Sequence, residues 1–330
     1  MTFDAFVSSF WPSTVTGLVL GAIYALVALG YTLVYGVLRL INFANSEVFM
    51  LSTFGSFLAV EMLDIPQRLG DGTNPIKTGW PLIGVLALCL MLSVFIGGLS
   101  AVVIERVAYR PLRKRNAPRL VFLISAIGAS FAISEAIGEW GFPFIKNEQR
   151  KEYSLAKFFK KEPVFSIFGA DVYDSNIIVV VGAAAMAVSL IIFVGKSRVG
   201  RGIRAVAQDA ETAKIMGVNV DRIILITFLV GGLMAGGAAF LYEVHTPSAR
   251  YDVGFTIGVK AFTAAVLGGI GNVKGALLGG LLLGLIENWG TSLFGADQNV
   301  GNITAFVTLV LVLMFRPSGL LGESLGRSKA

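Results

Sequence analysis

Gly195-Lys196-Ser197-Arg198-Val199-Gly200-Arg201-Gly202-Ile203-Arg204-Ala205-Val206-Ala207-Gln208-Asp209-Ala210-Glu211-Thr212-Ala213-Lys214-Ile215-Met216-Gly217-Val218-Asn219-Val220-Asp221-Arg222-Ile223 is the longest polar stretch in the second half of an otherwise mostly apolar chain. It opens with basic residues and glycines. The spacing then predicts a short helix with a narrow apolar face of Ile203, Val206, Ala207, Ala210 and Ala213, one side of a 3.6-residue period. Gly217 falls where a helix-ending glycine belongs. A new apolar run starts at Ile223. A small-faced helix held between two spans is suited to docking in a groove on a soluble partner. An ordinary helical connecting loop reads the same way.

Composition says what lies on either side of that polar island. Of 330 residues, 55% are hydrophobic and 15% charged, against about 25% charged in soluble domains. Several runs reach the roughly 20 apolar residues that cross a bilayer. The fold class is therefore all-α, a polytopic integral membrane helical bundle. No polar stretch is long enough for a second core, so residues 1–330 read as one transmembrane domain. The net charge of +6 gathers in a few loops, as membrane topology produces, and does not signal nucleic-acid binding. Cys89 stands alone in an apolar run, so no intramolecular disulfide is expected. His245 lies just past a span end without nearby ligand partners, so no metal site is expected. The first 14 residues hold Asp4 and no Lys or Arg, and no cleaved leader is expected.

The apolar spans fall at 15–38, 43–60, 80–104, 120–140, 177–195, 223–242, 254–271, 274–293 and 302–315. That gives eight or nine transmembrane helices, because the glycine-rich pair 254–271 and 274–293 could be broken or re-entrant. Segment 105–119 carries six positive charges and one negative. It lies two spans from 196–222, so both basic loops fall on one side, the cytoplasmic one. Loops 61–79 and 141–176 are then extracytoplasmic, with the N-terminus outside and the C-terminus inside. Val15-Thr16-Gly17-Leu18-Val19-Leu20-Gly21 echoes Val273-Lys274-Gly275-Ala276-Leu277-Leu278-Gly279. Nine spans enter the two from opposite sides, as an inverted repeat requires; chance agreement among Gly, Val and Leu gives the same match. Gly17/Gly21, Gly232/Gly236, Gly271/Gly275/Gly279 and Gly280/Gly284 have the spacing that lets membrane helices approach closely.

The chain shows no means of powering transport itself. Gly195-Lys196-Ser197 ends like a phosphate-binding loop, but position 190 is Leu and a span precedes it. A lone histidine nearly excludes imidazole base chemistry. Ionisable groups inside spans are costly and mark candidate sites. These are Glu47, Glu135, Glu139, Lys260 and Glu287. Asn42, Asn45 and Glu47, at the junction of the first two spans, could line a polar path or cap the second helix. Glu139 looks interfacial. Glu135, Lys260, Glu287 and Asn288 are expected to face the bundle interior.

Four separated motifs resemble one family. Gly17-x-x-x-Gly21-Ala22-Ile23-Tyr24-Ala25-Leu26-Val27-Ala28-Leu29-Gly30-Tyr31, followed by Ile41-Asn42-Phe43-Ala44, resembles the opening of the branched-chain amino acid ABC importer permeases of the Liv H type. Arg204-Ala205-Val206-Ala207-Gln208-Asp209 with Ala213-x-x-Met216-Gly217, Lys260-Ala261-Phe262-Thr263, and Phe315-Arg316-Pro317-Ser318-Gly319 also fit. Glu211-Thr212-Ala213-Lys214-Ile215-Met216-Gly217 is similar to the Glu-Ala-Ala-x-x-x-Gly signature of the coupling helix in ABC importers, with Thr212 in place of the first Ala.

The resemblance implies a heteromeric importer in a prokaryotic cytoplasmic membrane. A second, homologous permease would pair with this one. Two cytoplasmic ATPases would bind ATP and Mg, so this chain would hold no cofactor, and an extracytoplasmic binding protein would deliver the solute. Ile203, Arg204, Val206, Ala207, Ala210, Glu211, Ala213 and Gly217 would form the coupling helix seated in an ATPase cleft. The family often reads Asn-Phe-Ala-His-Gly-Glu where this chain has Asn42-Phe43-Ala44-Asn45-Ser46-Glu47. Similar permeases carry urea, short amides or other amino acids, so the solute does not transfer with the family. The competing reading is a stand-alone ion-coupled carrier of small polar solutes with Glu47, Glu135 and Glu287 as coupling sites.

Overall fold

The structure is a computed structural model that describes residues 3–40, 42–62, 80–140, 153–154, 163–294 and 298–322. The chain begins with α1 (Phe3–Leu38) and α2 (Asn45–Met62), followed by α3 (Trp80–Ile104). A π-turn, Glu105–Tyr109, leads directly into α4 (Arg110–Lys114), and α5 (Arg119–Trp140) returns. Short strands β1 (Tyr153–Ser154), β2 (Pro163–Ile167) and β3 (Ala170–Tyr173) precede α6 (Asp174–Lys196). Then come α7 (Arg198–Gln208), α8 (Ala210–Ile215), α9 (Val220–His245) and β4 (Ser248–Ala249). The chain closes with α10 (Val253–Gly268), α11 (Val273–Phe294) and α12 (Gln298–Phe315). Among the described residues six helices are long and apolar enough to cross a membrane, and 253–268 and 300–315 are shorter apolar helices.

Two helices form the centre. The most apolar windows of α1 and α9 are 89% and 78% buried, whereas those of α3, α5 and α6 are 17–22% buried and keep apolar flanks outward. Glycine seams set the packing. Gly17 and Gly21 of α1 lie against Gly284 and Gly280 of α11; a Cβ on Gly280 would sit 2.4 Å from Ala25 Cα. The next face of α11 meets α10, where a Cβ on Gly279 would fall 2.1 Å from Ala264 O. Gly232 and Gly236 of α9 press on Gly97 and Ser93 of α3 in the same way. The sequence spacing of these glycines is thus used for close packing within the chain.

Three expectations are corrected. Segment 105–119 is a loop only over 115–118: the helix of α3 continues to Lys114 through the π-turn. Glu105 and Tyr109 sit four apart, are each 1% exposed, and Glu105 is paired with Arg113 at 2.8 Å. That pairing lets a charged segment stay helical against the protein. Within 141–176, β2 and β3 form a hairpin and β1 pairs with β4; residues 141–152 and 155–162, like 63–79, lie outside the described residues. The first span also begins well before residue 15, since α1 starts at Phe3.

The two basic segments do share one end. Arg113 bridges Asp221 at 2.9 Å. Arg39, at the end of α1, donates to Gln208 O at 3.0 Å. The tail motif folds onto this end as well. Leu320 N and Leu321 N donate to Leu267 O and Gly268 O, and so satisfy carbonyls that the end of α10 leaves without helical partners. The β2–β3 hairpin lies at the opposite end, where Phe168 stacks on Trp11 near the start of α1.

Candidate functional site

The polar island folds as two helices rather than one. Ser197 caps α7 by accepting from Gly200 N at 2.8 Å. The helix breaks at Asp209, whose extended backbone (φ −154°, ψ 111°) starts α8. Its carboxylate accepts from the Thr212 hydroxyl and from the N–H groups of Glu211 and Thr212. Those bonds, the Thr212 hydroxyl first, hold Asp209 below the ordinary aspartate range. Gly217 (φ +84°) ends α8: Val218 N reaches Ala213 O and Gly217 N reaches Lys214 O, the paired bonds of a left-handed glycine stop.

The apolar face read from the sequence points inward. Ile203, Val206 and Ala213 are each 3–4% exposed and belong to the chain's own core. Ala207 is half-buried, while Arg204, Ala210, Glu211 and Gly217 are exposed. The outward apolar residues are Ile215 and Met216, 85% and 78% exposed. Burial of the larger side chains fixes the unit to α1, α6 and α9 and leaves Ile215 and Met216 as its outward large apolar side chains. Arg204 caps the end of α6 through Gly195 O at 3.0 Å.

Behind this unit lies the turn between α1 and α2. Arg39 takes a left-handed conformation (φ 53°), and Asn42 to Glu47 wind one turn into α2. Asn42 Oδ1 accepts from Tyr109 OH at 2.8 Å. Glu47 Oε1 accepts from Ser130 Oγ at 2.8 Å and from Ser46 Oγ at 3.2 Å. Among the described residues, four buried polar atoms of α1 and this turn have no hydrogen-bond partner: Glu47 Oε2, Asn45 Nδ2, Tyr31 OH and Thr32 Oγ1. Helix α10 covers two of them, Glu47 Oε2 and Tyr31 OH, closely. A Cβ on Gly254 would sit 2.9 Å from Glu47 Oε2, and one on Gly258 would sit 3.1 Å from Tyr31 OH.

A second buried cluster joins α10 to α11. Lys260 Nζ lies 2.6 Å from Glu287 Oε1 and over the Tyr24 ring at 5.7 Å. Among the described residues Glu287 Oε2 has no hydrogen-bond partner. Asn288 spends its amide on Gly284 O of its own helix at 2.9 Å. Glu135 departs from expectation: it is exposed on α5, as is Glu139, so it faces out of this chain's bundle.

Sequence reading passed over Glu243. The sixth span runs to His245 rather than 242, and Glu243 is 1% exposed, its carboxyl oxygens without a hydrogen bond of ordinary geometry among the described residues. Ser56 is the polar side chain beside it. The available signal was periodicity, since Glu243 lies two turns beyond Gly236 on the face shared with Gly232.

Fold and site together define a multi-pass membrane protein with buried polar groups and one protruding helical unit. Among the described residues no cluster of His, Cys, Asp and Glu could hold a metal. Residues 13–314 match the family described as the permease component of branched-chain amino acid transport systems, and the chain belongs to that family. It is a permease and not an enzyme. It is 39% identical to the high-affinity branched-chain amino acid transport system permease protein BraD of Pseudomonas aeruginosa, over 94% of each chain. It is 36% identical to the corresponding LivH of Escherichia coli K12, over 93% of this chain and 94% of that one. A solved metal-chelate type ABC transporter in an inward-facing conformation is a distant likeness, at TM-score 0.45 and 17% identity over 92% of this chain and 84% of that one.

Proposed function

We propose that this permease carries branched-chain or related amino acids inward across a prokaryotic cytoplasmic membrane by alternating access. It crosses the membrane nine times, with α2, α10 and α12 counted among the crossings. A second, homologous permease pairs with it. Two ABC ATPases, which hold ATP and Mg, dock at the basic end through the tip of α8. A binding protein delivers solute at the hairpin end. The positive-inside rule supports this orientation, because Arg39, the 105–119 segment and 196–222 gather at one end.

One observation carries the reading. Arg39 holds the last carbonyls of α7, Ala207 O and Gln208 O, and lies three residues before Asn42. A shift of the α7–α8 unit under ATP-driven closure therefore pulls on the turn bearing Asn42, Asn45 and Glu47. Unbonded buried groups are costly unless another state or a ligand pairs them. Glu47 Oε2 suits a solute ammonium, and Asn45 Nδ2 and Tyr31 OH suit its carboxylate. Lys260 and Glu287 neutralise each other and serve as an internal brace beside that path, with Asn288 next to it. Glu135 faces the partner permease or lipid.

The test is to tag the chain in its native host, extract it in mild detergent, and assay what copurifies and what moves. Recovery of two ATPases and a second permease, with ATP-dependent leucine uptake in liposomes, is the expected result. A chain that purifies alone and carries solute under an ion gradient, indifferent to ATP, overturns it.

A further inference from the structure

At the basic end, a cavity of about 280 Å³ opens between the π-turn of α3 and the start of α9. Arg106, Arg110 and Arg222 line it, with Glu105, Asp221 and Asn219. The acids do not neutralise these arginines. Both are taken by Arg113, at 2.8 Å from Glu105 and 2.9 Å from Asp221. Asn219 is also occupied, capping α9 through Arg222 N at 3.0 Å. Among the described residues, Arg106, Arg110 and Arg222 have no ion-pair partner. The π-turn produces this arrangement. Arg110 N–H reaches back to Glu105 O, which keeps Glu105 and Tyr109 inside and turns Arg106 and Arg110 outward.

An apolar seam leads from the cavity toward the membrane centre. Leu225 forms part of the cavity wall. Leu229 stands 3.1 Å from where a Cβ on Gly98 would lie, so it flanks the seam between α3 and α9. Along α3 and into its π-turn, Leu99, Val103 and Val107 are 52%, 49% and 72% exposed. Unpaired guanidiniums at the end of a span, beside exposed apolar side chains, match one ligand chemistry. Guanidinium forks bind phosphate oxygens in pairs, and a basic pocket between helices at the cytoplasmic surface suits an anionic lipid head.

We propose that this cavity binds an anionic glycerophospholipid, with its phosphate on Arg106, Arg110 and Arg222 and an acyl chain along the α3–α9 seam. The lipid would sit directly beside Asn219 and the loop that joins α8 to α9. It would brace the protruding unit from the membrane side.

The full-length chain, delipidated in detergent, is offered phosphatidylglycerol and phosphatidylcholine in equal amounts, and native mass spectrometry counts what stays bound. One phosphatidylglycerol per chain is expected to survive in preference to phosphatidylcholine. Arg106→Gln/Arg110→Gln/Arg222→Gln should reduce that retention by about tenfold or more, while the triple Lys variant keeps the preference for the anionic lipid. Equal retention in the Gln variant, or equal binding of phosphatidylcholine, overturns the proposal. Displacement of the lipid by millimolar inorganic phosphate also overturns it, in favour of a soluble anion. A Gln variant that keeps its lipid but sheds its copurifying proteins assigns the cavity to a protein partner and overturns it too. The three side chains are exposed and unpaired, so folding should tolerate their loss. If the triple variant does not extract as a single species, Arg222→Gln alone is measured, and unchanged retention there counts against the site.

Discussion

Lys260 and Glu287 show how a single buried pair constrains the bundle. Their side chains are 10% and 8% exposed, and each stands on a different helix. Removing one partner strands a charge inside, whereas removing both leaves an apolar contact. Lys260→Met is expected to destabilise the chain by about 3 kcal/mol. Lys260→Met/Glu287→Leu should recover most of that loss in thermal unfolding in detergent. A double variant as unstable as the single one would mean that the pair does more than cancel its own charges. Glu47 makes a different demand, because one oxygen is bonded to Ser130 and the other is free. Glu47→Gln keeps an acceptor for Ser130 while removing the charge proposed to meet a solute ammonium. Leucine uptake should fall by about tenfold or more at unchanged protein level, a loss worth about 1.4 kcal/mol. Unaltered uptake would move the path elsewhere, with Glu243 the next carboxyl to test.

At the scale of elements, the tip of α8 carries a sharp expectation. Ile215 and Met216 are exposed, so Ile215→Ser/Met216→Ser should change stability by less than about 0.5 kcal/mol. If the tip fills a partner's cleft, the same change should weaken ATPase retention on purification by about 1–3 kcal/mol. The helix–helix seams give a second test. Gly280→Val forces a side chain into the backbone of α1 and should abolish accumulation of folded protein. Gly84→Ala, which meets nothing within 4 Å, should be neutral or stabilising by about 0.5 kcal/mol. Much of this architecture was legible in the sequence. Trp80 and Trp140 mark helix boundaries, and the glycine spacings named the faces that pack. What escaped were local polar pairings that periodicity does not report, and features set by partners distant in sequence. The pairing of Glu105 with Arg113 turned an expected loop into helix. The partition of the 195–223 island into α7 and α8 depends on Asp209 acting as a cap. The inward turn of Ile203 and Val206 depends on surfaces of α1 and α9. In the candidate site, Asn42, Asn45 and Glu47 were readable as polar residues in an apolar context. Tyr31, Thr32 and Gly258 became visible only once α1 and α10 closed over them.

For the whole molecule, the distribution of charge and the antiparallel packing of α1 on α11 set two ends that should face different compartments. The end bearing Arg39, Arg113 and the α7–α8 unit is densely basic, and exposed arginines there are held outside the apolar layer at no burial cost. The opposite end carries the β2–β3 hairpin, with Phe165 at 45% exposure. Crossing the membrane would require the basic end to shed many hydrated charges, each costing about 2.5–3.5 kcal/mol at a bilayer centre. That cost supports the proposed orientation, with the basic end kept on the cytoplasmic side. With Cys89→Ser as background, a cysteine at Phe165→Cys should react with a membrane-impermeant maleimide on intact cells. A cysteine at Ile215→Cys should react only after permeabilisation. If the ATPases cover the α8 tip, even permeabilised cells should label Ile215→Cys slowly until those subunits are stripped. Labelling of Ile215→Cys from outside would invert the molecule and remove the docking surface from the side where ATP is available.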